Sequence, residues 1–568
     1  MAKKIKQYAP TEYLKFDQPR VRKQQEEAIA AVRRRFGKSY PLVINGRKVT
    51  TAKQLESHNP ANPSEIVGRF SLAGQAEAER AITAAAKAFE TWRMVPGPER
   101  AQYLFEAARV VRERRMEINA WMISEVGKNY LEADADTAEA IDFLEFYGRE
   151  MLRLSGPQEV IPISGEKNYL EYIPLGVGAV IPPWNFPFAI LVGMTSAALV
   201  TGNTVVLKPS SDSPMMGWLF VDILRQIGLP NGVVNFIPGN GSEIGDYIVD
   251  HPQIRFISFT GSASVGKRVY ERASRTPDDQ LWLKRVVAEM GGKDAIIVDA
   301  EADIDAAADG VAAAAFGFQG QKCSACSRAI VDAQVYDEFV EKLRRRVESL
   351  EVGEPTQNKP VGPVVSDRAF KSILEYIEIG KKEGKLITGG GAVSDTGYFI
   401  APTVIANVKP NARIAQEEIF GPVLAVIKAR NFDDALKIAN NTKYGLTGAL
   451  YSTNPEKLDR AAREFHVGNL YLNRKCTGAL VGVHPFGGFN LSGTDSKAGG
   501  HDYLLLFLQG KSVAEKVGVR AKKSASAKKG SKKTAGTRAK SASTNGASTN
   551  GTAKRMTTGR RTTDAAAI

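Results

Sequence analysis

A cysteine set among glycines and small residues is the first candidate for chemistry in this 568-residue chain. Gly317-Phe318-Gln319-Gly320-Gln321-Lys322-Cys323-Ser324-Ala325-Cys326-Ser327-Arg328 leaves room for a substrate to approach the Cys323 sulfur. Upstream, Ala288-Glu289-Met290-Gly291-Gly292-Lys293 supplies a carboxylate, Glu289, beside glycines that would let it swing between water and substrate. A thiol nucleophile with a carboxylate base suits covalent catalysis through a thio-adduct. Free cysteines are more often small buried hydrophobes, and Cys323-x-x-Cys326 also has the spacing of a redox dithiol or half a zinc site. A structural zinc needs about four ligands. Only Cys476 and no nearby histidine remain to supply them, so no metal is expected.

Other residues offer further parts, each with an ordinary alternative. Asn185 lies among prolines in Pro182-Pro183-Trp184-Asn185-Phe186-Pro187. A rigid amide there could donate to an oxyanion, or be a turn asparagine. Lys208 ends a strand and would face a ligand crevice, or be a surface lysine. Gly239-Asn240-Gly241-Ser242-Glu243-Ile244-Gly245 approaches a dinucleotide fingerprint with one residue too many. Phe259-Thr260-Gly261-Ser262-Ala263-Ser264-Val265-Gly266 sets glycine and hydroxyl groups where strand meets helix. That suits a pyrophosphate, or an N-cap. In Glu417-Glu418-Ile419-Phe420-Gly421-Pro422, Glu418 could accept from ribose hydroxyls while Phe420 packs on a cofactor ring. It could equally be a carboxylate before a turn.

Strands and helices alternate around these residues. Short apolar runs at 178–181, 204–207, 233–237, 256–259 and 295–298, with helical spacing between them, predict a doubly wound parallel sheet. Before it, helices are expected over 24–35, 76–92, 99–126 and 134–151, and a strand with an Asn45-Gly46 turn near residue 41. A second α/β unit follows from about Asp303, with strands at 328–331 and 424–427 and helices at 335–350 and 432–439. The expected division is an N-terminal arm (1–40), a dinucleotide-binding domain (41–300), a catalytic domain (301–485), a C-terminal oligomerisation segment (486–518) and a tail (519–568). The site falls between the two large domains.

Composition narrows the class. Three cysteines and no apolar N-terminal stretch predict a protein of a reducing compartment, hence cytoplasmic. The apolar run Phe188 to Val200 spans about 13 residues, too short to cross a bilayer, and reads as a buried helix. The net charge of +14 belongs mostly to the tail. From Arg520 onward thirteen Lys or Arg face one acid, Asp564. This low-complexity stretch is expected to be disordered from about Ala521. It is either a solvated extension or a loose, salt-sensitive contact for nucleic acid or another polyanion. It holds no aromatic residue on which bases could stack.

In their joint order, Asn185, Lys208, Phe259-Thr260-Gly261-Ser262, Glu289, Cys323 and Glu418-Ile419-Phe420-Gly421-Pro422 resemble the aldehyde dehydrogenase superfamily over roughly residues 40 to 515. The resemblance implies an oxidoreductase in which Cys323 attacks an aldehyde, Asn185 stabilises the oxyanion and Glu289 activates the hydrolytic water. It implies a cofactor held by Ile181, Pro183, Trp184, Lys208, Ser211, Gly241, Gly245, Ser262, Met290, Glu418 and Phe420. NAD is expected; Ser211, where many relatives carry glutamate, leaves NADP open. Gln321-Lys322-Cys323-Ser324-Ala325-Cys326, Asn473-Arg474-Lys475-Cys476-Thr477-Gly478-Ala479-Leu480 and Pro485-Phe486-Gly487-Gly488-Phe489-Asn490-Leu491-Ser492-Gly493-Thr494-Asp495 resemble the branch acting on L-glutamate γ-semialdehyde, the second step of proline degradation. Lys322, Ser324, Gly478 and Ala479 would then meet the amino-acid end, with Phe186 and Phe486 around the aliphatic stem. Another semialdehyde is the alternative substrate. The chain leaves no room for a preceding proline dehydrogenase domain. By the same resemblance, Tyr169–Ile173 and residues near Tyr503–Gly510 would assemble a homo-oligomer.

Overall fold

The computed structural model of the chain describes residues 7–517. The basic tail lies outside the described residues.

Two sheets of seven strands each position the site. In the first, Arg285–Glu289, Ile254–Thr260, Val177–Ile181, Thr204–Leu207 and Val234–Phe236 lie side by side in that order, all parallel. Chain order runs outward in both directions from Val177–Ile181. The topological switch point therefore falls between Val177–Ile181 and Ile254–Thr260, and the crevice beyond their carboxyl ends is where ligands bind in such sheets. Thr204–Leu207 is buried at every position, as a strand covered by helices on both faces must be. The antiparallel hairpin Leu42–Ile44 and Arg47–Val49 closes the far edge. Its turn residues Asn45 and Gly46 have φ of 50° and 71°, the pairing that matches hairpin twist.

The second sheet has the order Lys385–Thr388, Thr403–Ala406, Val423–Ala429, Arg328–Asp332, Ala295–Val298, Thr447–Tyr451, Asn469–Leu472. Only the first strand is antiparallel to its neighbour. This corrects one expectation. Ala295–Val298 does not complete the first sheet but pairs with Arg328–Asp332 and Thr447–Tyr451. The fifth parallel strand of the first sheet is Arg285–Glu289. The chain crosses between sheets at Met290–Asp294, six residues before the boundary placed at 300. Apolar runs of equal length on both sides of that crossing do not say which sheet they join.

The helices follow their apolar spacing. Ala189–Val200 is buried apart from Ile190, as its uninterrupted apolar run requires. Tyr130–Leu154 starts at Asn129, whose side chain accepts the Glu132 N–H. The helix expected over 99–126 is two, Gly97–Glu113 and Arg115–Val126, breaking at Arg114 with φ −97° and ψ 11°. A three-stranded sheet of Ser39–Tyr40, Gln54–Asn59 and Asn62–Ser71 has no counterpart in the sequence expectations. Glu166–Pro174 pairs with Leu508–Lys516 in a separate two-stranded ribbon, so the two expected assembly segments meet within one chain.

At the switch point, glycine is a packing requirement. A Cβ at Gly178 would overlap the Phe256 ring of the neighbouring strand. We expect Gly178→Ala to lower stability by about 1–3 kcal/mol, measured as an earlier midpoint in urea unfolding.

Candidate active site

The nucleophile sits on a strained turn. Helix Ile304–Phe316, capped at its start by Asp303, runs into a tight turn over Gly317–Gly320. There Phe318 and Gln319 take φ of 50° and 55°, left-handed values that side chains avoid unless held. They are held. The Gln319 amide donates to the carbonyls of Gly127 and Pro363 at 3.2 and 2.8 Å, and Gln321 Oε1 accepts the Val365 N–H at 2.9 Å. Cys323 emerges half-buried, while Cys326 and Cys476 are buried. The Cys326 thiol points into the core and donates to Arg328 O, and the Cys476 thiol lies beside it. Cys323 and Cys326 are both free thiols, Cys326 packed in the core of the second sheet. Burial, reinforced by Asp294, Glu289, Glu418 and Glu139, raises the proton affinity of Cys323 above a thiol's ordinary value.

Asn185 is buried and its Nδ2 donates to Gln321 O at 3.2 Å, which ties the two loops and leaves the amide's second N–H. Glu289 ends the strand Arg285–Glu289. Ser496 Oγ donates to its Oε1, while its buried Oε2 has no partner. Burial pushes this carboxyl up to about 8 against the lowering influence of Ser496. The glycines after it do not serve as a swivel. Neither Gly291 nor Gly292 has a positive φ. A Cβ at 291 would overlap the Glu418 carboxylate, and one at 292 would stand 2.6 Å from Cys323 O. They are glycine so that Glu418 and the nucleophile's own backbone can press close.

A cavity of about 220 Å³ joins the parts, lined by Phe186, Glu289, Met290, Lys322, Cys323, Ser324, Gly478, Ala479 and Phe486 among others. All three catalytic candidates except Asn185, and every substrate candidate, are therefore at one place. Lys322 is not free: its ammonium pairs with Glu132 at 2.6 Å. Gly478 has φ 83°, and among the described residues neither its N–H nor that of Ala479 has a protein acceptor. Sequence reasoning missed the opposite wall, Glu132, Ala135, Glu139 and Asp142 from one face of helix Tyr130–Leu154, with Tyr13 from the N-terminal arm. Acids recurring at helical spacing on a mostly buried helix were the available signal. It also missed Ser496. Phe486 and Ala498, at the start of the expected assembly segment, also line this cavity. A larger hollow of about 1490 Å³ lies beneath the ribbon near Tyr172, Trp282 and Gln509, and no cysteine lines it.

The cofactor candidates lie at the carboxyl ends of the first sheet. Lys208 is buried, follows Thr204–Leu207, and has no ion-pair partner among the described residues; burial lowers it to about 8. Trp184 and Phe420 meet edge to face, 5.4 Å between centroids, with Phe420 at φ 56°. Glu418 Oε1 accepts the Gly292 N–H at 3.0 Å and borders a crevice that also contains Cys323. Ser262 caps helix Ala263–Ala273, accepting the Val265 N–H, and the first backbone N–H groups of that helix have no intrahelical partner. Ile181 ends its strand beside Phe259, and Pro183 and Ser211 are half-buried in the loops that follow two strands. Gly241 and Gly245 bound a wide turn with open space where their side chains would be. A nitrogen buried without a counter-ion, bare helix N–H groups and two aromatic rings set edge to face fit a ligand bearing ribose hydroxyls, a pyrophosphate and a flat ring.

Known proteins share this layout. A sequence profile of the aldehyde dehydrogenase family matches residues 48–513. The chain is 58% identical over 489 residues to a 1-pyrroline-5-carboxylate dehydrogenase of Geobacillus kaustophilus, covering 86% of this chain and 95% of that protein. A crystal structure of 1-pyrroline-5-carboxylate dehydrogenase from Thermus with bound NAD superposes with a TM-score of 0.89 at 52% identity, covering 90% of this chain and 99% of that one. Betaine aldehyde dehydrogenase from Staphylococcus aureus in complex with NAD+ gives 0.81 at 28% identity, covering 88% and 98%. A family match across most of the chain, with its nucleophile turn and doubly wound sheet in place, makes this chain a member of the aldehyde dehydrogenase family.

Proposed function

We propose that the chain oxidises L-glutamate γ-semialdehyde, the open form of 1-pyrroline-5-carboxylate, to L-glutamate with NAD, the second step of proline degradation. The observation that carries this reading is the single cavity that sets Cys323 and Glu289 at one end of a space lined by charged groups and free backbone N–H donors. Such a space suits a short aldehyde ending in an ammonium and a carboxylate. The likeness to named relatives supports the same substrate.

In this reading the Cys323 thiol gives up its proton to solvent and its sulfur attacks the aldehyde carbon. The second N–H of Asn185 and the Cys323 backbone N–H, which has no protein acceptor among the described residues, receive the oxyanion. Cys323 would then keep the acyl group as a thioester, the hydride of this carbon being accepted by NAD where that cofactor is bound. Lys208, Glu418, Trp184, Phe420 and the helix start at Ser262 would hold it. Glu289 takes the proton of the water that attacks the thioester, and its high proton affinity suits a base working near neutrality. The unpartnered Oε2 is the atom available for that proton.

We also assign the protein to the cytoplasm as a homo-oligomer. Three free cysteines suit a reducing compartment. The outer edge of Leu508–Lys516 carries no further strand among the described residues, which favours pairing with another copy.

Three measurements test the chemistry. Purified protein given 1-pyrroline-5-carboxylate and NAD should form NADH, and Cys323→Ala should form none; turnover by that variant would overturn the mechanism. Glu289→Gln should keep a burst of about one NADH per site while steady turnover falls about 100-fold or more. Steady turnover should rise with pH through about 8, where Glu289 loses its proton. Because the Ser496 hydroxyl stabilises the ionised carboxylate, Ser496→Ala should move that rise to higher pH in a pH–rate profile.

A further inference from the structure

Residues 7–18 precede the first helix, Pro19–Arg33, and form no helix or strand, yet they are tied down along their length. The Tyr8 hydroxyl donates to Val481 O at 2.8 Å, and its ring packs edge-on against Phe146 at 5.3 Å. The Thr11 N–H and hydroxyl both donate to Asp142 Oδ1, at 2.9 and 2.7 Å. The Leu14 N–H donates to Asp134 Oδ2 at 2.7 Å, and Arg115 holds both that carboxylate and Glu12 O. Phe16 is buried against Tyr130.

Two of these anchors, Val481 and Asp142, line the substrate cavity, and so does Tyr13 between the Thr11 and Leu14 tethers. The arm thus runs from the chain just after the Gly478–Ala479 loop to the acidic face of helix Tyr130–Leu154. Among the described residues, none of its hydrogen bonds reaches the Cys323 turn or the strand that carries Glu289. It also lies wholly before residue 48, where the family match begins. That wall of the cavity is built from sequence that precedes the family match.

We propose that this arm is a specificity element: Tyr13, held by the Thr11–Asp142 and Leu14–Asp134 tethers, is a side wall that limits the bulk of the aldehyde the cavity admits. The tethers fix the backbone on both sides of Tyr13, whose side chain lines the cavity while 45% exposed. Its hydroxyl is pushed up to about 12 by burial and by Glu139 and Asp142, which places it among the acids of that wall. Chemistry at Cys323 does not pass through the arm, so the wall acts on which substrates fit. The inference rests on the aldehyde-oxidising reading of the cavity.

The test compares Tyr13→Ala, Tyr13→Phe and Thr11→Val with the wild-type full-length chain. In Tyr13→Ala the ratio of kcat/KM for benzaldehyde to that for 1-pyrroline-5-carboxylate should rise about tenfold, mainly through KM. Tyr13→Phe, which keeps the ring, should hold the wild-type ratio, and Thr11→Val should fall between. A second readout needs no turnover: the rate of Cys323 labelling by a bulky maleimide relative to iodoacetamide should rise in Tyr13→Ala and stay unchanged in Tyr13→Phe. If the wild type oxidises no aldehyde, the function reading fails and the labelling ratio still decides the arm. Wild-type ratios in Tyr13→Ala by both readouts, or equal shifts in Tyr13→Phe, would overturn the proposal.

Discussion

One buried ion pair holds the reactive loops in register. Lys128 and Asp136 are both fully buried and lie 2.7 Å apart. The Lys128 ammonium also sits 4.1 Å from the centre of the Phe186 ring and 4.7 Å from that of Phe318. Phe186 follows Asn185, and Phe318 occupies the left-handed turn before Cys323. Asp136 in turn accepts the Ala189 N–H, fixing the start of the helix that follows the Asn185 loop. Burying two charges is costly and is offset only when every partner is supplied; here a carboxylate, a backbone donor and two aromatic faces supply them. Removing either charge strands the other in the core, a loss of about 3–5 kcal/mol in comparable pairs. The same contact that stabilises the fold therefore sets the distance between oxyanion donor and nucleophile.

Around that clamp the site is a low-dielectric space whose acids and bases are displaced from their ordinary values for one shared reason. Burial raises Glu289, Glu139 and Asp294 and lowers Lys208 and Lys293. Desolvation disfavours the charged form of each, so carboxyls tend to keep protons and ammoniums to lose them. Close backbone approach achieves the dryness. Gly291 lets Glu418 in, Gly292 admits the Cys323 carbonyl, and a Cβ at Gly320 or Gly487 would overlap the carbonyl of Gly421 or Ser496. Substituting these glycines would wedge the crevice open, admit water and relax the shifts together.

The parts of the site that read clearly from the sequence were those with local causes. Cys323 stood out because small neighbours surround it, and the strands before Lys208 and Ser262 because Val and Ile runs end in Pro or Gly. The parts that did not read clearly depend on long-range pairing. Ala295–Val298 has the composition of any buried parallel strand, and only its partners at 328–332 and 447–451 assign it to the second sheet. Gly291 and Gly292 read as a swivel because sequence does not show what presses on them. Ser496 lies two hundred residues from Glu289 and has no spacing that marks it. The acids of helix Tyr130–Leu154 have helical periodicity, but an amphipathic surface helix has it too.

Fold and chemistry are separable from substrate choice in this architecture, and the structure shows where the separation falls. A betaine aldehyde dehydrogenase at 28% identity retains the fold at a TM-score of 0.81. In this chain Asn185 and Glu289 stand at the carboxyl ends of Val177–Ile181 and Arg285–Glu289 in the first sheet, and Cys323 stands before Arg328–Asp332 of the second. The walls that meet the rest of the substrate come from elsewhere: a helix face carrying Glu132, Glu139 and Asp142, the Gly478–Ala479 loop, and an arm outside the family match. These elements meet the catalytic loops through Lys322 and Glu132, through the Cys476 thiol on Ser324 O, and through Asp136, which accepts the Ala189 N–H. Wall side chains other than Asp136 and its partners can vary while the Lys128 clamp is kept, which is a physical condition for one reaction mechanism to serve many aldehydes.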